Sequence, residues 1–449
     1  MSASREQFSS RTGFIMAAAG SAIGLGNIWG FPTQTASNGG AAFVVVYFIL
    51  AFLLAYPALM AELIIGRHAR ANVVTALRGI STGTKSRALA TTVGCYGVLI
   101  ASLILSFYAI VAGWMVTYLL EPIALLAERP DAASWLTGFS FERNLLSMGI
   151  FMGMTMAIIA SGIQGGIEKW STRLMPMLLA IMVCLIAYVM TQDGAMEGLK
   201  VYLVPDFSQL SPSLVLDAMG QAFFSLSLGV GTMLIYGSYL SNKESLPKLG
   251  AMVTLVDSGI AFFAGLLIIP AIFVAQQNGV TVFTEDGQMI AGPDLIFQVL
   301  PSLFDSMGDI GLPVALAFFS LMTIAAVTSS ISMLEVPVSF IAEETKINRK
   351  ATTVLVGAVI FGISTTILLN FDQLFGFVID LTTVYSQPIL GVMLCIFAGW
   401  IWHRSNLLQE IQSGHPEIVG TLFWKIWPTY VRYFCPILIL ATFIQSVVN

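Results

Sequence analysis

Residues able to hold ions and small zwitterions are concentrated in a few apolar stretches of the chain. Gly20-Ser21-Ala22-Ile23-Gly24-Leu25-Gly26-Asn27, followed by Phe31-Pro32, interrupts one stretch; GQAFFSLSLGVG at 220–231 interrupts another. Glycine lets the backbone leave a helix, and irregular backbone at membrane depth is tolerated only where it lines a cavity. Unwound carbonyls suit a hard cation such as Na⁺, while free amides and half-helix N-termini suit a carboxylate. Close helix packing explains the glycines but leaves Asn27, Ser225 and Ser227 without a role. Thr328-Ser329-Ser330 adds uncharged hydroxyls in a third stretch. Carboxylates inside a membrane are costly and mark functional sites by default, which singles out Asp257 and Glu62. Asp257 has no basic residue within a helical turn, which favours cation coordination. Glu62 lies five residues before Arg67 and reads equally as a structural group near an interface. Tyr108 offers a hydroxyl to a ligand or is an ordinary core tyrosine.

The elements that position these residues follow from composition. The 449 residues are 57% hydrophobic and only 10% charged, with a mean hydropathy of +0.85. A soluble domain carries about 25% charged residues, so this chain cannot cover a water-facing surface and is an integral membrane protein. The net charge of −5 is small and dispersed, and no nucleic-acid partner is expected. Cys95, Cys184, Cys395 and Cys435 lie in apolar segments and read as buried free thiols. His68, His403 and His415 show no ligand spacing. Apolar runs predict eleven transmembrane helices near 12–35, 41–66, 89–120, 145–163, 171–191, 213–240, 249–276, 308–341, 351–369, 374–402 and 420–447. The first run is not a cleaved signal, because it continues through Trp29 and Pro32 into a second span.

With the N-terminus cytoplasmic, seventeen of the twenty Lys and Arg residues fall on the inner side. Only Arg129, Arg143 and Lys200 fall outside, a strong positive-inside pattern. The eleventh span then places the C-terminus outside. The outer loops are acidic (Glu121, Glu128, Asp131, Glu285, Asp286, Asp294, Asp305), which reads as simple loop solvation in preference to a cation-attracting vestibule. The interrupted spans are first and sixth, the same rank in two successive sets of five. That pattern predicts an all-α membrane protein with an inverted five-plus-five repeat, discontinuous helices 1 and 6, and a site at the midplane. The whole of 1–449 is then one transporter domain, with 1–191 the first repeat, 213–402 the second and 420–447 a further helix.

AGSAIGLGNIWGFP at 19–32, GQAFFSLSLGVGT at 220–232 and AAVTSSISMLE at 325–335 resemble the neurotransmitter:sodium symporters. The likeness is greatest to the bacterial amino-acid transporters similar to the leucine transporter, and it covers nearly the whole chain. It implies two Na⁺ ions. The first would be held by the carbonyl of Ala22, the side chains of Asn27, Ser225 and Asp257, and the substrate carboxylate. The second would be held by carbonyls of Gly20, Ile23 and Ala325 and the hydroxyls of Thr328 and Ser329. The substrate carboxylate would meet the amides of Leu25 and Gly26, beside Gly24, and the Tyr108 hydroxyl. Its amino group would meet the carbonyls of Ala22, Phe224 and Ser225 and the side chain of Ser227. Ile104, Tyr108, Phe224, Val230, Ser329 and Met333 would line an uncharged side-chain subsite, which predicts neutral hydrophobic amino acids, aromatic ones included.

The chain departs from the family at the gates. Gly30 stands where an arginine usually pairs with the position of Asp380, so outer closure would rest on Tyr108, Phe224 and polar groups such as Gln34. Arg5 and Glu343 match the inner gate, with Phe8 in place of a usual tryptophan. Gly166 and Pro176 match the feature that lets the fifth helix unwind. Asp257 stands where many members have Asn; it would supply the negative charge for which animal members need chloride, so chloride is not expected. The chain is thus expected to be no enzyme but a sodium-coupled symporter working by alternating access in a bacterial inner membrane, as monomer or homodimer. No ATP-binding GxxxxGK[ST] loop occurs. A proton-coupled amino-acid carrier of the same general fold is the alternative; it would lack the Thr328-Ser329 site.

Overall fold

The computed structural model describes residues 5–282, 290 and 292–448. All regular structure among the described residues is helical, as a bilayer demands of a chain that must satisfy its own backbone groups. The first interrupted stretch forms α1 (Arg11–Ala22) and α2 (Gly26–Ser37), which meet at 59°. There follow α3 (Ala41–Ala69), α4 (Thr84–Leu126), α5 (Phe141–Ala160) and α6 (Ile163–Val189). The second interrupted stretch forms α7 (Pro212–Ser225) and α8 (Thr232–Ser238). The chain continues as α9 (Leu246–Gln277), α10 (Gly308–Thr345), α11 (Arg349–Leu369), α12 (Phe371–Ile401), the surface helix α13 (Arg404–Gly414) and α14 (Leu422–Val447).

Among the described residues nine helices are long and apolar enough to cross a membrane, and the bent α1–α2 pair makes a tenth. The sixth span, expected to be discontinuous, is the pair of shorter helices α7 and α8, which that count does not include. Glu285 and Asp286 lie outside the described residues. The four cysteines are free, but Cys95 and Cys184 are exposed on the outer surface of the bundle; only Cys395 and Cys435 are buried. An apolar stretch predicts a buried thiol in water, whereas in lipid an apolar face points outward as readily as inward.

The spans α4, α9 and α10 are the most enclosed, while α6 and α14 turn most of their surface outward. The two breaks sit inside this shell. Ser10 caps α1 by accepting the amide of Gly13, and Ser211 caps α7 by accepting that of Leu214. Each helix then stops in the interior of the bundle. Ile23 turns extended after α1, and after α7 the chain takes positive φ at Ser227 (52°), Gly229 (89°) and Gly231 (81°) before α8 begins.

Candidate functional site

The breaks face each other across one cavity of about 300 Å³. All twelve residues expected around the substrate line it: Ala22, Gly24, Leu25, Gly26, Ile104, Tyr108, Phe224, Ser225, Ser227, Val230, Ser329 and Met333. None of the described residues that line it carries a formal charge. Two glycines make the geometry possible. A Cβ on Gly24 would stand 2.7 Å from Ser329 Oγ and 3.2 Å from the Tyr108 hydroxyl, so any other residue would fill the space where those hydroxyls meet the turn. A Cβ on Gly229 would fall 2.4 Å from the carbonyl oxygen of Gln387, and its φ of +89° is itself a glycine conformation. Gln387 also donates its amide to Leu228 O at 2.9 Å, which ties the second break to α12. Ser227 Oγ donates to Ser21 O at 3.1 Å, which ties the breaks to one another. At the start of α2 the amides of Asn27 and Ile28 donate back to Gly24 O (3.2 and 3.4 Å), whereas those of Leu25 and Gly26 have no backbone acceptor and the buried Tyr108 hydroxyl has no partner among the described residues.

Two clusters of oxygen atoms flank the cavity. In the first, Asn27 Nδ2 donates to Asp257 Oδ1 at 2.7 Å and to Ser225 Oγ at 3.0 Å; Ser225 Oγ donates to Asp257 Oδ2 at 2.7 Å. Tyr47 adds its hydroxyl to Ser225 at 3.2 Å. All four residues are buried, and Asn27 Oδ1 has no hydrogen-bond partner. A carboxylate beside an orphaned carbonyl oxygen is a donor set that a small cation completes. In the second cluster, Ser329 Oγ lies 3.3 Å from Gly20 O and 3.1 Å from Ile23 O, and Thr328 Oγ1 lies 3.0 Å from Ala325 O. A Cβ on Gly20 would sit 3.0 Å from Thr328 Cβ and 3.3 Å from Met175 Sδ, which places α6 over this cluster. Its five oxygens are all uncharged.

Glu62 takes the structural option. Its carboxylate accepts the amides of Gly229 (2.7 Å) and Leu234 (3.3 Å), holding the second break and the start of α8.

The cavity is closed toward the face that carries most of the basic residues. Arg5 pairs there with Glu343, which also accepts the amide (2.8 Å) and side chain (2.9 Å) of Asn72. Phe8 packs edge-on against Phe14, Tyr236 and Tyr239. Glu6 accepts the amides of Ile163 and Gln164 at the start of α6, and Glu168 accepts the amides and hydroxyls of Ser9 and Ser10. Toward the opposite face the cavity stays open. Phe224 is 42% exposed there and, with Thr383 and Gln387, also lines an outer vestibule that contains Gln34, Asp217 and Gln221. Gly30 leaves open space: the nearest atom to an added Cβ would be Gln221 Oε1 at 3.7 Å. Asp380 is exposed and does not line the cavity; the stripe of α12 that does is Phe375, Ile379, Thr383 and Gln387.

Sequence reasoning missed that stripe, along with Trp29, Phe107 and Val111. A signal existed for part of it. Ile104, Phe107, Tyr108 and Val111 follow the helical i, i+3, i+4, i+7 pattern, and Thr383 and Gln387 are polar residues one turn apart in an apolar span.

The profile of the Sodium:neurotransmitter symporter family matches residues 5–142 and 140–449. The uncharacterized sodium-dependent transporter YhdH of Bacillus subtilis is 33% identical over 98% of this chain and 97% of its own length. The sodium- and chloride-dependent taurine transporter of Bos taurus is 29% identical over 68% of this chain and 55% of its own. Among solved structures, the crystal structure of MhsT in complex with L-phenylalanine superposes with a TM-score of 0.83 at 34% identity, covering 98% of this chain and 100% of that one.

Proposed function

The chain belongs to the Sodium:neurotransmitter symporter family, and from that premise we propose that it is a sodium-coupled symporter of neutral, hydrophobic amino acids. The observation that carries this reading is one uncharged cavity, set between two helix breaks and flanked by two oxygen clusters. In this reading the substrate carboxylate faces the first amides of α2 and the Tyr108 hydroxyl, and its ammonium faces Ser227 and the carbonyls that end α7. The apolar wall of Ile104, Val230 and Met333 receives the side chain. A charged side chain would lose its hydration there with no partner, which excludes acidic and basic amino acids. Val230 and the adaptable Met333 leave room for aromatic rings, in keeping with the phenylalanine bound by the structurally similar MhsT.

Two sodium ions travel with the substrate, one in each cluster. Asp257 supplies a negative charge to the first, so transport needs no chloride, unlike that of the animal relatives whose names specify it. Eleven spans in an inverted five-plus-five repeat (1–191 and 213–402, with 420–447 added) rock between outward-open and inward-open forms. The Arg5–Glu343 pair and the Phe8 cluster form the inner gate, with the N-terminus cytoplasmic and the C-terminus outside. Outer closure falls to Tyr108, Phe224 and Gln34, with no ion pair between Gly30 and Asp380.

The test is a thermal-unfolding screen of the purified protein over the twenty amino acids, in sodium and in choline. Leucine, phenylalanine, tyrosine or tryptophan should raise the unfolding temperature only in sodium. Equal stabilisation in choline would favour the proton-coupled alternative, and stabilisation by a charged amino acid alone would overturn the substrate class. Replacing chloride with gluconate should leave the stabilisation intact; its loss would remove the role given to Asp257.

A further inference from the structure

A second pocket, distant from the substrate cavity, lies on the basic face where α12 ends and α14 begins. It has a volume of about 610 Å³, and its walls include Trp400, His403, Arg404, Thr429, Arg432 and Tyr433. Three features mark it as an anion site. First, Arg404 and Arg432 form no ion pair with any carboxylate among the described residues, and Arg432 Nε is buried without a hydrogen-bond partner. The carboxylate on the neighbouring helix, Glu410, is already taken by Arg67 (2.6 Å) and His68 (3.2 Å). Second, α13 starts at this pocket: His403 and Arg404 line it, and no side chain caps the helix, so its first amides lack an acceptor. A phosphate satisfies such amides and the positive end of the helix dipole together. Third, the Arg432 guanidinium lies over the Trp400 ring, 4.0 Å from its centroid, while the Trp400 indole donates to Arg432 O at 2.9 Å. The stack thus keeps the guanidinium at the pocket wall without using a carboxylate.

The surroundings select a lipid as the source of that phosphate. Trp400 is 51% exposed and Tyr433 44%, the interfacial aromatic placement that sits at headgroup level. Below them α14 presents Phe434, Ile437 and Ile444 outward, an apolar face along which acyl chains can lie. We propose that this pocket binds the phosphate of an anionic membrane phospholipid, held by Arg404, Arg432 and the uncapped N-terminus of α13. Basic pockets between helix ends on the positive side of a membrane protein suit such headgroups.

The experiment compares purified full-length protein with phosphatidylglycerol, phosphatidylcholine of the same acyl chains, and inorganic phosphate, reading lipid retention by native mass spectrometry and thermal unfolding in parallel. Phosphatidylglycerol should be retained over phosphatidylcholine and should raise the unfolding temperature. Arg404→Gln and Arg432→Gln should each lower the preference about fivefold, Arg432→Lys should keep most of it, and Lys248→Gln, a basic residue outside the pocket, should leave it unchanged. If Arg432→Gln does not fold, Arg404→Gln and Arg432→Lys decide the matter. Equal retention of the two lipids, a preference untouched by Arg404→Gln, or displacement of the lipid by inorganic phosphate at equal concentration would each overturn the proposal. Retention is measured on the protein at rest, so its outcome is independent of whether amino-acid transport is found.

Discussion

The two oxygen clusters beside the cavity are built from different material. Asn27, Ser225 and Asp257 come from three helices and include a carboxylate, with Tyr47 closing the far side. The Gly20, Ile23, Ala325, Thr328 and Ser329 cluster spans only α1 and α10 and has no charge. An emptied carboxylate site would leave a buried anion without a cation, whereas the uncharged site can lose its ion at the smaller cost of a few weakened hydrogen bonds. If each cluster holds a sodium ion as proposed, the first would bind it tightly together with the substrate and the second would be the one that releases it. The positions of the clusters agree. Both are buried, but the second lies under Met175 of α6, the span least enclosed after α14. The start of α6 is held to the N-terminal segment by Glu6, by the Gln164 side chain on Gln7 O at 2.8 Å, and by the contacts of Glu168 with Ser9 and Ser10.

The largest effect should come from removing the charge. Asp257→Ala is expected to weaken sodium-dependent amino-acid binding about a hundredfold or more, read by calorimetry or equilibrium dialysis. Asp257→Asn should recover part of that loss only when chloride is present; recovery without chloride would erase the contrast between the clusters. Ser329→Ala or Thr328→Ala removes one neutral ligand and should cost about tenfold in sodium affinity. An effect as large as that of Asp257→Ala would mean the uncharged cluster is no weaker. The smallest change belongs to the clamp on α6. Glu168→Gln weakens its charge-assisted bonds, so backbone amides over 163–168 should exchange with deuterium several-fold faster, with sodium binding at the first cluster unchanged.

How much of this was legible in the sequence depended on whether local chemistry or tertiary placement decided the matter. Glycine and small polar residues inside apolar runs announced both breaks, because nothing else at membrane depth explains Asn27 or Ser227. The expected cavity residues lie together for the same reason: they sit in or opposite those breaks. Of the α12 wall only Thr383 and Gln387 left a trace in the sequence, as polar residues one turn apart; Phe375 and Ile379 did not, because the rotation of the helix is set by packing. Asp380 is one residue from Ile379, and that single step turns it about 100° away from the cavity. Glu62 could not be assigned from its neighbours in the chain, since its partners, Gly229 and Leu234, lie far along the sequence. Cys95 and Cys184 were misplaced because hydropathy alone cannot distinguish a core-facing from a lipid-facing position.

Whether amino-acid movement is coupled to sodium is decided by uptake into liposomes. Purified protein reconstituted in liposomes should accumulate labelled phenylalanine or leucine against its gradient when sodium is high outside, with no accumulation when choline replaces sodium. Equal accumulation in choline, driven by a proton gradient, would contradict the account.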